Sequence, residues 1–148
     1  MLTLAMTLIA TGFVVIIGIV LGVWAGRSTR VEKFLRPFLD AGQTMPAFVY
    51  LVPVLALFGP TRFAAIVLGV VYAAPVVIRI VADGIRKVPK ESVEAAISAG
   101  STDLQVITKV QLPVSRRSIL LGVNQGLIFV LAVVVIGGFV VRAAWATS

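Results

Sequence analysis

Charged residues are absent from four long stretches of the chain, and these stretches define its predicted elements. They cover residues 1–26, 41–61, 63–78 and 118–141. A helix needs about 20 apolar residues to cross a bilayer core about 30 Å thick. The pattern therefore predicts an all-α integral membrane protein with four spans in one domain, 1–148. We place the spans at about 3–26, 44–58, 63–80 and 118–141.

The two middle spans are less regular than the outer two. Pro46 and Pro53 interrupt the 44–58 block, so we expect a kinked helix that its neighbours shield from lipid. We expect the third span to end at Arg79, whose long side chain can reach the headgroup layer.

Glycines recur at four-residue spacing in the first span, at Gly18, Gly22 and Gly26. Because small residues let two membrane helices approach closely, this face is predicted to pack against another helix.

The basic residues are distributed very unevenly between the predicted connections. The chain has 13 Lys and Arg against 6 Asp and Glu, a net charge of +7. All but Arg62 and Arg142 of these basic residues lie in segments 27–43 and 79–117. By the positive-inside rule both segments are cytoplasmic, and the N-terminus, the 59–62 turn and the C-terminal tail lie outside. The net charge therefore indicates membrane topology rather than nucleic-acid binding.

The composition also excludes several kinds of chemistry. Without His or Cys, the chain can form no imidazole or thiolate metal site, no disulfide and no His general base. It has no Gly-Lys-Ser or Gly-Lys-Thr phosphate-binding loop. We therefore expect no catalytic residue, metal or cofactor, and any energy must come from another subunit.

The cytoplasmic loop at about 81–117 is too long and too patterned to be a passive connection. It predicts two short helices separated by a turn at Gly100. The first starts with Pro89 in its first turn and carries Val93, Ala96 and Ile97 on one face. The second is capped by Ser101, carries Leu104, Ile107 and Val110, and is closed by Leu112-Pro113. A solvated basic loop and a DNA-reading helix-turn-helix are the alternatives, although tethering at both ends leaves little room for a duplex.

The spacing within this loop resembles the EAA loop of binding-protein-dependent ABC importer permeases. It reads Glu94-Ala95-Ala96, three residues, Gly100, nine residues, Val110, one residue, and Leu112-Pro113. The family favours Ile at the position of Val110. The segment from Leu39 to Pro53, Ala74-Pro75 with Ile78-Arg79, and Gly122 to Gln125 are similar to the glycine betaine/proline branch.

This resemblance implies a permease subunit of an osmoprotectant importer in the plasma (inner) membrane of a prokaryote. Its implied partners are a cytoplasmic ABC ATPase, an extracytoplasmic substrate-binding protein, a second permease copy and membrane lipid. The implied fold is a type I importer core of five spans, of which this chain is expected to lack the last. The residues implied to dock the ATPase, within the 89–113 loop, are Glu94, Ala95, Ala96, Gly100, Val110, Leu112 and Pro113.

Polar and aromatic residues within or beside the apolar spans are the candidates for the substrate path. Intramembrane polar groups often mark a transport pathway, but they also form interhelical hydrogen bonds. The candidates are Gln43, Thr44, Tyr50, Tyr72, Asn124 and Gln125. The two tyrosines could face a quaternary ammonium through cation-π attraction, or they could serve as packing aromatics.

Two alternatives to the betaine importer remain. One is a permease of the same superfamily for another small solute, and the other is a truncated, non-transporting membrane remnant.

Overall fold

A computed structural model describes the backbone of residues 1–146, with all side chains in that range except those of residues 2, 141, 144 and 145. The predicted domain 1–148 thus includes two C-terminal residues, 147 and 148, outside the described part. The described residues are almost entirely helical. The helices are α1 Leu2–Arg27, α2 Thr29–Thr44, α3 Ala47–Phe58, α4 Arg62–Arg86, α5 Lys90–Ser98, α6 Asp103–Val106, α7 Leu112–Val114 and α8 Arg116–Ala146, with a π-helical segment at Ile107–Gln111 between α6 and α7.

Within residues 1–146, three helices are long and apolar enough to cross a membrane. They lie in α1, α4 and α8 and match the predicted first, third and fourth spans. The 44–58 block is different, because α3 has 12 residues and reaches only about 18 Å at 1.5 Å per residue. It forms a bent pair with α2, and the two helix axes meet at 100°.

The bend between α2 and α3 corrects the predicted kinked span. Pro46 lies at the N-cap of α3 rather than inside a helix, whereas Pro53 lies within it. Leu51 and Val54 pack into a core cluster with residues of α4 and α8. The opposite side of α3 is open, since Val52 and Leu57 are exposed, so the neighbours in this chain shield only one face.

Segment 27–43, predicted as a connection, is instead the amphipathic helix α2. Leu35 and Leu39 lie one turn apart and pack on Ala74 and Ile78 of α4. Charged residues and the exposed rings of Phe34 and Phe38 occupy the other faces. The apolar face has only one residue per turn, so the many charged residues around it obscure the helical repeat in the sequence.

The core of the bundle is α4, which packs against α1, α2, α3 and α8. Its fully buried Val77 and Val81 lie in the main apolar cluster, together with Val14 of α1 and Val130 of α8. The predicted glycine face of α1 is confirmed, since ideal Cβ atoms on Gly18, Gly22 and Gly26 lie within 3 Å of side-chain atoms of α4. The contacted residues are Val77, Val81 and Ile85.

The helix that holds the predicted third span does not end at Arg79. It continues to Arg86, and Arg79 pairs with Asp40 of α2. The continuation is stabilised by packing, because Val81, Ala82 and Ile85 beyond Arg79 are all buried.

Candidate functional site

The first half of the 89–113 loop is α5 with the turn that follows it. Pro89 precedes α5 as its N-cap residue. Gly100 has φ +85°, a conformation that costs a residue with a side chain about 1–2 kcal/mol. The Gly100 N–H donates to the Ile97 carbonyl at 2.9 Å, and the Ser101 N–H donates to the Ala96 carbonyl at 3.0 Å. These bonds close the helix end, and the predicted stop at Gly100 is confirmed.

The second half of the loop begins one residue later than predicted. Thr102, not Ser101, is the N-cap of α6, and with Gln105 it forms a reciprocal capping box. Gln105 completes the motif because its side chain accepts from the Thr102 N–H at 2.9 Å. Ser101 has no Glu or Gln three residues later that could make the same contact.

The second helix also does not close at Leu112-Pro113. The helical path passes through the π segment into α7, where the Leu112 N–H donates to the Ile107 carbonyl, and ends at Ser115. The missing N–H of Pro113 is tolerated because this residue lies in the first turn of α7. The path from Thr102 to α8 is therefore interrupted only around Ser115.

The motif residues divide into an exposed and a half-buried set. Glu94, Ala95, Gly100 and Pro113 are exposed, whereas Ala96, Val110 and Leu112 are half-buried. Leu112 packs against the main apolar cluster of the bundle. The loop thus presents the side of α5 and the Gly100 turn to its surroundings, while its second half rests on the bundle.

Part of the loop is buried, and an ion pair joins it to α1. Val106 is buried to 1% exposure and Gln111 to 7%. The Arg27 guanidinium at the end of α1 donates to the Asp103 carbonyl and to its carboxylate, both at 3.3 Å. Since Asp103 is the first residue of α6, α1 and the loop are joined where the second helix begins.

Three of the six path candidates meet in one cavity of about 350 Å³ beside the α2–α3 bend. Gln43, Tyr72 and Gln125 line it together with Gly42, Val76 and Phe129. The Tyr72 ring lies 5.7 Å from the ring of Phe129, centroid to centroid. The walls are therefore uncharged and combine two amides with two aromatic rings.

The other three candidates lie outside this lining. The ring of Tyr50 stands edge-on to Tyr72 at 5.9 Å, and its hydroxyl donates to the Ala41 carbonyl at 3.3 Å. Thr44 donates to the same carbonyl at 3.2 Å. Asn124 is exposed on α8. The structure thus gathers residues from three distant parts of the sequence, Gln43, Tyr72 and Gln125, but leaves Thr44 and Asn124 apart from them.

A second, charged cleft of about 320 Å³ lies between α2 and α4. Its ionic residues alternate in sign along both helices. They are Glu32, Arg36 and Asp40 of α2, and Arg79, Asp83 and Arg86 of α4.

Asp40 and Arg79 of this cleft were not among the predicted site residues. The Arg79 guanidinium pairs with the Asp40 carboxylate and donates to Gln43 Oε1 at 2.9 Å. A signal was present in the sequence, because the two residues stand at the edges of the uncharged blocks 41–61 and 63–78 with opposite charges. Only the packing of α2 on α4 shows that they meet.

Comparison with known proteins gives one matching family model and several relatives. The model described as "Binding-protein-dependent transport system inner membrane component" matches residues 18–144. The glycine betaine/proline betaine transport system permease protein ProW of Escherichia coli is 45% identical over 95% of this chain, which spans 40% of that protein. The glycine betaine/carnitine transport permease protein GbuB of Listeria monocytogenes is 42% identical over 93% of this chain, which spans 49% of it.

Solved structures give the same fold. A chain of the MetNI methionine ABC transporter in an inward-facing conformation aligns with a TM-score of 0.82 at 26% identity. The alignment covers 94% of this chain and 71% of the other.

Proposed function

The chain belongs to the family of binding-protein-dependent transport system inner membrane components, and from this premise we propose that it is the permease part of an ATP-driven importer. Its proposed cargo is a small osmoprotectant such as glycine betaine or proline. The observation that carries the proposal is the exposed helix-turn segment at Gly100, presented beside a bundle that encloses an uncharged cavity. In this proposal ATP hydrolysis takes place on a partner subunit.

The proposed ATPase-docking surface consists of α5, the Gly100 turn and Pro113, the exposed motif residue at the end of the loop. Glu94 and Ala95 of α5 are exposed, and Ile97 remains 54% exposed although it is apolar. A small helix with exposed apolar and acidic residues suits insertion into a groove of a partner protein. The docking segment also includes four motif residues that set its shape and its packing on the bundle: Ala96, Val110, Leu112 and Pro113.

Movement of the docked segment would reach the bundle by two connections. One is the nearly continuous helical path from α6 through the π segment into α8, and the other is the Arg27–Asp103 pair at the end of α1. An ATPase that binds the inward-open and outward-open arrangements with different affinities shifts the balance between them. The π segment is a point where helix geometry changes, a feature frequent at functional sites.

The docking surface is tested by Gly100→Trp with Gly59→Trp as its control. Both glycines have positive φ, +85° and +68°, and neither has an atom within 4 Å of an ideal Cβ. Both variants therefore place a side chain at positive φ on opposite predicted sides of the membrane, and the control is a stringent one because Gly59, with ψ −179°, has a backbone conformation that only glycine adopts readily. We expect Gly100→Trp to abolish co-purification of the ATPase and Gly59→Trp to retain it. Equal retention by both would refute docking at this turn.

The proposed substrate path runs through the cavity beside the α2–α3 bend. Broken helices at membrane depth are tolerated where they line a cavity, and transporters place substrate sites at such breaks. Gln43, Tyr72 and Gln125 line this cavity and Tyr50 supports Tyr72, so we assign the path to these four. Thr44 and Asn124 remain candidates of lower priority because they lie outside the lining.

The transport function itself is tested by uptake. Vesicles that contain this permease with its ATPase and binding protein should accumulate labelled glycine betaine when ATP is supplied on the side of the membrane that carries the ATPase. Uptake that does not depend on ATP would refute the importer. The same vesicles measure the alternative cargo, because GbuB is named for both glycine betaine and carnitine; both compounds combine a quaternary ammonium with a carboxylate.

We further propose that two permease copies assemble on two ATPase subunits, with an extracytoplasmic binding protein delivering the cargo. Wide apolar faces are consistent with lipid or permease contacts: Phe13, Ile16 and Val20 of α1 and Leu127 and Leu131 of α8 are all exposed. Mass measurement of the purified complex, with and without ATPase, distinguishes one copy from two.

A further inference from the structure

The Arg79–Asp40 ion pair stands where the uncharged cavity and the charged cleft adjoin. Arg79 lines the charged cleft, while Gln43, to which it donates at 2.9 Å, lines the uncharged cavity. Arg79 is also the first charged residue after the uncharged run 63–78. A solute leaving the uncharged cavity toward the cytoplasmic side thus meets this pair first.

The location of the pair is fixed by a close crossing of α2 and α4. An ideal Cβ on Gly42 would lie 2.8 Å from Pro75 Cγ, so only glycine permits this approach. Asp40 and Gln43 flank Gly42 on α2, and Tyr72 and Arg79 lie about one turn on either side of Pro75 on α4. The crossing therefore places one cation and one anion at the mouth of the charged cleft, with Gln43 joining them to the uncharged cavity.

The pair is accessible and is bound loosely enough to be exchanged. The side chains of Arg79 and Asp40 are 38% and 52% exposed in this chain and both line the charged cleft, and ion pairs that water reaches are held only weakly. Their partners can therefore be replaced by groups of a solute without a large penalty from breaking the pair itself.

From this arrangement we propose that Arg79 and Asp40 form a transient binding site for a small zwitterion. The carboxylate of the solute replaces Asp40 at the Arg79 guanidinium, and its cationic group moves to the Asp40 carboxylate. Each charge loses one partner and gains another, so neither is left unpaired. A solute with only one charge leaves Arg79 or Asp40 unpaired and binds less well.

A second ion pair on the same helices provides the control. The Arg86 guanidinium contacts the Glu32 carboxylate at 2.7 Å and also donates to the Ala25 carbonyl at 3.4 Å. It joins α1, α2 and α4 but has no contact with the lining of the uncharged cavity. If the Arg79 pair acts only as a clamp between α2 and α4, removing either pair should have similar effects.

The inference rests on the proposed importer, and the experiment separates the two. Binding of labelled glycine betaine is measured on the assembled permease–ATPase complex in nanodiscs without binding protein, and uptake is measured in parallel in vesicles with it. We expect saturable binding to the wild type, at least tenfold weaker binding to Arg79→Gln and to Asp40→Asn, and unchanged binding to Glu32→Gln. Choline, which lacks the carboxylate, and acetate, which lacks the cation, should compete at least tenfold more weakly than proline betaine.

Each failure has a distinct meaning. Absence of ATP-dependent uptake by the wild type would overturn the importer itself. With uptake intact, any of three results overturns the zwitterion site alone: no saturable binding, binding that survives both Arg79→Gln and Asp40→Asn, or competition by choline equal to that of proline betaine. Co-purification of the ATPase shows that each variant has assembled, and the two independent substitutions guard against misfolding of one.

Discussion

The glycine face of α1 allows the packing of the bundle to be tested with a single methyl group. An ideal Cβ on Gly22 lies 2.6 Å from Val81 Cβ and 3.1 Å from the Ile78 carbonyl oxygen. Non-bonded carbons are most stable at about 3.5–4.0 Å, so the contact is about 1 Å too short. Gly22→Ala must therefore push α1 away from α4 or displace the backbone, because Val81 is fully buried and cannot rotate into free space.

Gly12→Ala is the matched control on the same helix. An ideal Cβ on Gly12 meets no atom within 4 Å, so the variant gains only the helix propensity of Ala, about 1 kcal/mol. Gly22→Ala has the same gain but also the cost of overpacking, about 1–3 kcal/mol. The difference between the two variants therefore isolates the contact at about 1–3 kcal/mol, with Gly22→Ala the less stable.

The assay is thermal unfolding of the assembled complex in detergent, followed by fluorescence-detected size exclusion. At about 2–4 °C per kcal/mol, the midpoint of Gly22→Ala should lie about 2–12 °C below that of Gly12→Ala. Equal midpoints for the two single variants would refute close packing of α1 on α4 at Gly22.

Two further substitutions test local features of the helices. Thr102→Ala removes the capping box of α6 and should destabilise the loop by about 1 kcal/mol, which is measured as faster amide hydrogen exchange in α6. Ser101→Ala should leave the exchange rates unchanged. If Ser101→Ala accelerated exchange and Thr102→Ala did not, Ser101 would be the cap. Thr11→Val removes a buried hydroxyl that has no partner among the described residues and should stabilise the complex by about 1–3 kcal/mol. Thr7→Val, which loses the 2.8 Å bond to the Thr3 carbonyl, should destabilise it in the same thermal assay.

Much of the helical framework follows directly from local sequence. The uncharged blocks mark α1, α4 and α8 because hydrocarbon excludes unpaired charge over the whole length of a span. The stop at Gly100 follows because only glycine takes φ +85° without strain. The glycine spacing in α1 predicts a packing face, since four-residue steps return to the same side of a helix.

The same local reasoning was wrong where a choice depended on distant residues. Arg79 marks the end of the uncharged run but not the end of α4, because buried contacts of Val81 and Ile85 with other helices extend the helix to Arg86. The predicted N-cap was wrong for a local reason instead: Ser101 and Thr102 can both cap a helix, but only Thr102 has Gln105 three residues later. Segment 27–43 was not predicted as a helix because its apolar face is recognisable only from the residues that pack on α4.

The sequence by itself determined the membrane class, the three long spans, the segments that carry most of the basic residues, and the loop that resembles the family motif. Hydropathy, charge and turn chemistry act over neighbouring residues, so these features can be recognised locally. Only the tertiary structure decided which residues form the candidate site. Gln43, Tyr72 and Gln125 share a cavity, and Arg79 meets Asp40, because α2 crosses α4 at the close contact of Gly42 with Pro75. The register of two helices at a crossing depends on the shapes of both surfaces, and neither surface is visible in the periodicity of the other.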